Sequence, residues 1–347
     1  MEFPFDMKPK IVIDPNIKRL LIVSEGFEKR SFFWPASLEN SKLFFDALIS
    51  KYKYGKHSKS NELLTVVSER TKNKPFFLEY DRSSPAIFES EIQKIRYELY
   101  DEIVIDISVM SKFLIMIILY SMRMFNGKLT VVYSEPEWWN PRTEDECKKY
   151  INECEKGEFV GLSSIDIQGI TRTPALSSIL MQNCPVTLIS FVSFNKYLLR
   201  NLLADVNPPE LFLFYPSSDR FKWKEKYLSE IGISVFKEYN NGIFFDEVLK
   251  KFEASDYASV FEELAEIYKK RFYTNRIIIS PTGPKWHAVS CALFKICCPD
   301  VHVEYPISMT YSYKNYTSEN VIDVHSITFD KFKDDVEAIA KKYGLNG

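Results

Sequence analysis

The chain has 347 residues, past the size at which one hydrophobic core usually stops growing, so two lobes are expected. A content of 46% hydrophobic and 27% charged residues is an ordinary globular balance and excludes a disordered chain. The net charge of −2 excludes any general attraction to nucleic acid or to an anionic membrane.

In chain order, Arg19–Ser24 (RLLIVS) is a short buried strand that ends in Glu-Gly-Phe-Glu-Lys-Arg. A helix is expected from Ser37 to about Tyr54, then strand-like runs at 61–68 and 75–80. The span 84–100 has helical period, with Ile87, Ile92, Ile95 and Leu99 on one face. Glu102–Ile107 (EIVIDI) is the next strand, 113–125 a helix apolar on nearly all sides, and 129–133 (LTVVY) another strand. Strands that are apolar throughout and alternate with helices imply a parallel sheet covered on both faces.

The charged segment 137–157 marks the expected lobe boundary, giving lobes 1–157 and 158–347. Beyond it come strands at 185–190 and 211–215, and helices near 195–203 and 223–231. A further element follows at 234–238, then one or two amphipathic helices within 247–270. The strand Arg276–Ser280, a helix at 288–296, a strand at 301–305 and a helix near 330–343 complete the series. The fold class is therefore α/β: two Rossmann-like lobes with mainly parallel sheets. Segments 102–133 and 275–305 share an order of apolar strand, polar turn ending in lysine, apolar helix and strand ending in tyrosine. Tandem duplication would explain that order, and would set two lysine loops across a cleft.

The strongest candidate site is Ser280-Pro281-Thr282-Gly283-Pro284-Lys285, at the carboxyl end of a buried strand, where open α/β sheets bind ligands. Hydroxyls, backbone amides freed by Gly283 and the ammonium of Lys285 suit a phosphate or carboxylate. A plain Pro/Gly turn is the structural alternative. The matching first-half loop offers Asp106, Ser108, Ser111 and Lys112, either as ligand contacts or as helix caps. Gly26, Glu28 and Arg30 follow the first strand, as ligand contacts or as a self-paired charge cluster. The aromatic segments 133–140 and 305–316 suit base stacking or an interface between lobes.

Other chemistries lack their residues. The six cysteines and four histidines form no CxxC, HxxxH or HExxH pattern, so no metal site is expected and the thiols read as reduced. GxxxxGK[ST], GxSxG and the usual nuclease motifs are missing. The first ten residues lack a signal-peptide pattern, and the longest apolar run, 113–120, is too short to span a bilayer. A cytoplasmic location is expected.

At Ser280–Lys285 the sequence resembles the CRISPR-associated Rossmann-fold (CARF) sensor domains. In that family a strand ends in a Thr/Gly-rich loop with a lysine, and two such loops bind a cyclic oligoadenylate. Thr282, Gly283 and Lys285 fit the motif, whereas Pro284 departs from its usual Gly-Thr and the first-half loop keeps only serines and a lysine. The resemblance implies a sensor or adaptor in prokaryotic defence or signalling. Its partners would be a nucleotide-like small molecule and a protein encoded nearby, with no cofactor, no membrane and no nucleic acid. Two alternatives remain open: a phosphodiesterase or glycosidic-bond hydrolase using Glu28, Asp106 or His287, and a ligand-free protein-interaction module. No catalytic residue is assigned.

Overall fold

A computed structural model describes residues 3–4, 16–39, 42–54, 58–155, 164–239, 248–311 and 317–345. The chain forms two compact units: Met1–Ser111, Ser121–Trp139 and Thr317–Lys342 in the first, Lys112–Tyr120, Asn140–Tyr316 and Tyr343–Gly347 in the second. This division differs from a single cut at 157, a position that itself lies outside the described residues.

The first unit contains β1 (Arg19–Ser24), α1 (Arg30–Ser37), β2 (Asp46–Tyr52), α2 (Ser60–Arg70), β3 (Phe76–Tyr80), α3 (Pro85–Ile92) and β4 (Glu102–Asp106). α4 (Lys112–Ser121) joins β4 to β5 (Lys128–Pro136) and is grouped, except for its last residue, with the second unit. That unit continues with α5 (Glu144–Glu155), β6 (Ser164–Thr171), β7 (Val186–Phe191), α6 (Lys196–Val206), β8 (Glu210–Ser217) and α7 (Lys222–Tyr239). Then come β9 (Leu249–Glu253), α8 (Tyr257–Arg271), β10 (Arg276–Ser280), α9 (Lys285–Cys297), β11 (His302–Val303) and β12 (Tyr305–Tyr311). The chain returns to the first unit with β13 (Val321–Phe329) and α10 (Phe332–Lys342).

The first sheet has the order β13-β5-β4-β1-β2-β3, parallel except for β13, which runs antiparallel to β5. The second has the order β11-β10-β7-β8-β9 and is parallel throughout. Taken in chain order, the parallel strands of each sheet are arranged 5-4-1-2-3, the doubly wound Rossmann order. β6 and β12 form a separate antiparallel pair in the second unit.

The apolar strands follow from burial on both faces. All six residues of β1 and all five of β4 are buried. In α4 every residue from Phe113 to Leu119 is buried, so no polar face interrupts it, and Phe113 stacks on Tyr305 with ring centres 5.5 Å apart. The helix expected at 37–54 is instead the end of α1 followed by β2. Ala47–Ser50 form a consecutive buried run between β1 and β3, which a strand covered on both faces requires. The strand expected at 61–68 is α2, whose buried residues Leu63 and Val67 stand one helical turn apart. Its β-branched Thr65 fits because the hydroxyl donates to the Asn61 carbonyl at 2.9 Å.

The helix expected over 84–100 stops at Ile92, before a one-turn 3₁₀ segment at Tyr97–Leu99. Residues 234–238 belong to α7, and the expected helical span 247–270 begins with edge strand β9. Antiparallel strands β6 and β13 are absent from the sequence-based reading. β13 also accounts for the divided first unit, since its partner β5 lies nearly two hundred residues earlier.

His325 on β13 faces Glu135 on β5, with Nε2 2.8 Å from Oε2. That hydrogen bond, opposed by burial, raises the histidine above its ordinary value. The pair stabilises fully below the unfolded histidine value of about 6.5, and the effect fades as pH rises through the raised folded value. We therefore expect His325→Gln to lower stability at pH 5.5 by about 0.5–1 kcal/mol and to cost less at pH 8.5, read by urea titration.

Candidate functional site

In the second unit the chain leaves β7 toward β8 and β9, then returns on the other side of β7 as β10. The sheet's topological switch therefore lies between β7 and β10. Their last paired rung is Ser280 beside Ser190. Both serines are fully buried, and among the described residues neither hydroxyl has a hydrogen-bond partner. Leu188 and Ile278, two residues earlier, pack with Leu199 and Leu202 of α6 and Ile231 and Val235 of α7. By the pleat, Ser190 and Ser280 share that face.

Glu304 extends the row. Val303 pairs with Ile279, and the Glu304 amide donates to the Ile279 carbonyl at 3.0 Å, so Glu304 occupies the rung beside Ser280. Its Oε1 lies 2.9 Å from Arg172 Nη2 and 3.3 Å from His302 Nε2, while its buried Oε2 has no partner among the described residues. His302 Nδ1 accepts from the Ser178 amide at 3.1 Å, which leaves Nε2 to carry the proton toward Glu304. Burial pulls the Glu304 carboxyl upward, but the His302 hydrogen bond and the Arg172 charge outweigh it and hold the group below its ordinary value.

On the opposite face, the Ser280–Lys285 turn is fastened to β7. Thr282 Oγ1 donates to the Phe191 carbonyl at 2.6 Å, and the Thr282 amide to the Ser280 carbonyl at 2.9 Å. Gly283 lies flat on Phe191: a Cβ there would meet the ring Cδ1 at 2.8 Å and the Phe191 Cβ at 2.9 Å. The glycine thus admits a phenylalanine, where the sequence suggested a close approach of backbone to ligand. α9 opens on Lys285, with Pro284 supplying no side-chain cap and no acidic residue in the first turn. Its first backbone bond runs from the Ala288 amide to the Pro284 carbonyl at 3.1 Å. Lys285 is half-buried.

His287, one candidate base, is buried against Phe191, and its Nε2 lies 2.9 Å from the Glu253 carbonyl. Burial pushes it down to about 4 despite that hydrogen bond, so it is neutral at ordinary pH.

The first unit fills its corresponding ends differently. Asp106 Oδ1 accepts from the Ser108 amide at 2.9 Å, and Ser108 Oγ accepts from the Ser134 amide at 2.8 Å. The Ser111 amide donates to the Tyr52 hydroxyl at 2.7 Å, and Lys112, half-buried, begins α4. Gly26 faces Val109, whose Cβ would be 3.2 Å from an added methyl. Arg30 is buried and donates through Nε to Glu28 Oε2 at 2.7 Å and through Nη1 to the Ser134 carbonyl at 3.0 Å. Thr317 Oγ1 donates to the same Glu28 oxygen at 2.8 Å. Glu28 and Arg30 are therefore a buried pair rather than a solvated charge cluster.

The structure places Ser280, Thr282, Gly283 and Lys285 on one turn of the second unit. Asp106, Ser108 and Ser111 lie beside Gly26, Glu28 and Arg30 at the strand ends of the first. Sequence reasoning missed Ser190, Arg172, His302 and Glu304. The available signals were the matching endings Leu-Ile-Ser and Ile-Ile-Ser, and an acid directly after a buried strand. An open hollow beside α2 includes Lys42 and Arg70, but it lies at the amino ends of β2 and β3. Both cations there already bond to backbone carbonyls, Lys42 to Ser68 and Arg70 to Pro35.

Among the described residues no group of three or more His, Cys, Asp or Glu could hold a metal, and no helix is long and apolar enough to cross a membrane. No family model and no curated protein matches the chain. Among solved structures it is similar to a universal stress protein from Archaeoglobus fulgidus at 13% identity and a TM-score of 0.23, over 83% of this chain and 96% of that one. The Rossmann-like assignment rests on this chain's own strand order.

Two outcomes test the geometry. Gly283→Ala drives a methyl into Phe191 and is expected to destabilise by about 1–3 kcal/mol in urea titration. For His287, a folded value near 4 below an unfolded value of about 6.5 means that stability is full above 6.5 and is lost as pH falls through 4. Acid unfolding over that window should flatten in His287→Gln, by up to about 3 kcal/mol.

Proposed function

We propose that the second unit binds a phosphate-bearing, nucleotide-type ligand at the carboxyl ends of β7 and β10, and acts as a sensor or adaptor rather than an enzyme. The observation that supports this reading is the Ser190–Ser280 pair, two buried hydroxyls without partners among the described residues, on the last rung of the switch-point strands. A buried polar group left unsatisfied costs about 1–3 kcal/mol, so two adjacent ones call for a reason. Lys285 adds to it. A cation in the first turn opposes the helix dipole by about 0.3–1 kcal/mol, and an anion bound there reverses that penalty.

An enzymatic role has less support, because its acid–base candidates are engaged elsewhere. Glu28 holds Arg30 and Thr317, Asp106 holds the Ser108 amide, and His287 is buried and neutral.

The fastening of Thr282 and Gly283 to Phe191 favours one second reading, in which the turn is purely structural and the protein is a ligand-free interaction module.

A thermal-shift panel of linear and cyclic nucleotides separates the two readings. A ligand at one hundred times its Kd stabilises by about 2.7 kcal/mol. We expect a rise of several degrees with at least one nucleotide, lost in Lys285→Ala. No response to any nucleotide would leave the interaction module.

A further inference from the structure

Glu304 sets a condition on the ligand that phosphate binding does not meet. Its Oε1 is held by Arg172 and His302, and its Oε2 is buried with no donor among the described residues. A carboxylate oxygen accepts hydrogen bonds only, and it repels phosphate. Whatever satisfies Oε2 must therefore be a donor on a part of the ligand that carries no negative charge. Neighbouring strands stand about 4.8 Å apart, so Glu304, Ser280 and Ser190 form a polar row roughly 10 Å long. The carboxylate lies at one end, and the serines can both donate and accept. Arg172 is 51% exposed, and its second partner Asp205 is 48% exposed. That surface link is weak, whereas the link from Arg172 to buried Glu304 holds the guanidinium beside the carboxylate.

We infer that this row is a subsite for a vicinal diol of the ribose type, with one hydroxyl donating to Glu304 Oε2 and the other engaging Ser280 Oγ. The inference rests on the proposed phosphate reading and narrows its ligand to a ribonucleotide, with the sugar toward Glu304 and the charged group crossing the strand ends toward Lys285 on the other face.

The test compares each of the four ribonucleoside 5′-triphosphates with its 2′,3′-dideoxy counterpart by isothermal titration on the full chain. A hydrogen bond to a charged acceptor is worth about tenfold or more in affinity. At least one ribonucleotide should therefore bind the wild type at least about tenfold more tightly than its dideoxy form. Glu304→Gln should lower that ratio severalfold while dideoxy binding persists, and Lys285→Ala should weaken both forms alike. Ser280→Ala removes only an unpartnered hydroxyl, so it is expected to fold and to reduce the ratio, and it carries the test if Glu304→Gln does not fold. Equal affinity for both forms in the wild type, or a ratio unmoved by these substitutions, overturns the diol subsite and leaves phosphate binding standing. No binding of either form overturns the diol subsite, and the phosphate reading falls with it when the cyclic nucleotides also fail to bind.

Discussion

Burial of the central strands on both faces is the constraint from which the rest of this molecule follows. β1, β4, β7 and β10 have apolar side chains above and below, so polar groups can enter the sheets only at the strand ends. At the amino ends most of those groups are engaged. Arg19 pairs with Glu102 at 2.6 Å, and Lys128 lies 3.3 Å from the same carboxylate. In the second unit Glu210 accepts from Arg271 Nε at 2.7 Å and from Thr187 Oγ1 at 2.5 Å. Such networks close an end and leave nothing for a ligand to satisfy. The carboxyl end of the second sheet lacks this closure at Ser190, Ser280 and Glu304.

Two sheets with one strand order have therefore been completed in two chemical ways. Leu21, Val23 and Val104 share the apolar cluster under α1 and α2, which puts Val23 and Asp106 at the place held by Ser190 and Ser280 in the second sheet. The valine needs no partner, and the aspartate finds one in the Ser108 amide. The first unit then adds the Ser111–Tyr52 hydrogen bond and the contact of Val109 with Gly26. Shared topology alone would give the two lysine loops equal standing as sites; the central rung differs between them, while the Ser50 and Ser134 hydroxyls of the first sheet are likewise buried without a partner among the described residues.

The legible parts of the chain were those whose signal is local. Continuous apolar runs identified β1, β4, β5, β7, β8 and β10, and the lysines that close the two polar turns are the first residues of α4 and α9. Errors fell where a short run fits either period. Asp-Ala-Leu-Ile-Ser is apolar enough for a helix, and only its place between β1 and β3 makes it a strand. Leu-Thr-Val-Val has β-branched residues, yet tertiary contact through Leu63 and Val67 overrides that preference. β6 and β13 were illegible for a different reason. Their partners β12 and β5 are distant in sequence, and an edge strand with one covered face has only a weak pattern.

The Ser280–Lys285 turn illustrates how a motif and its role can separate. Its residues suggest a loop open to a ligand, whereas Thr282 and Gly283 both serve the contact with Phe191. That contact fixes where β10 ends and where α9 begins, since only two residues separate Thr282 from Lys285 in the chain. A turn free to move would lose the N-terminal amides of α9 as a fixed group of donors, because orientation is what makes a helix end bind an anion. Internal satisfaction of Thr282 and Gly283 is therefore compatible with binding at Lys285, and it moves them from direct contact to positioning.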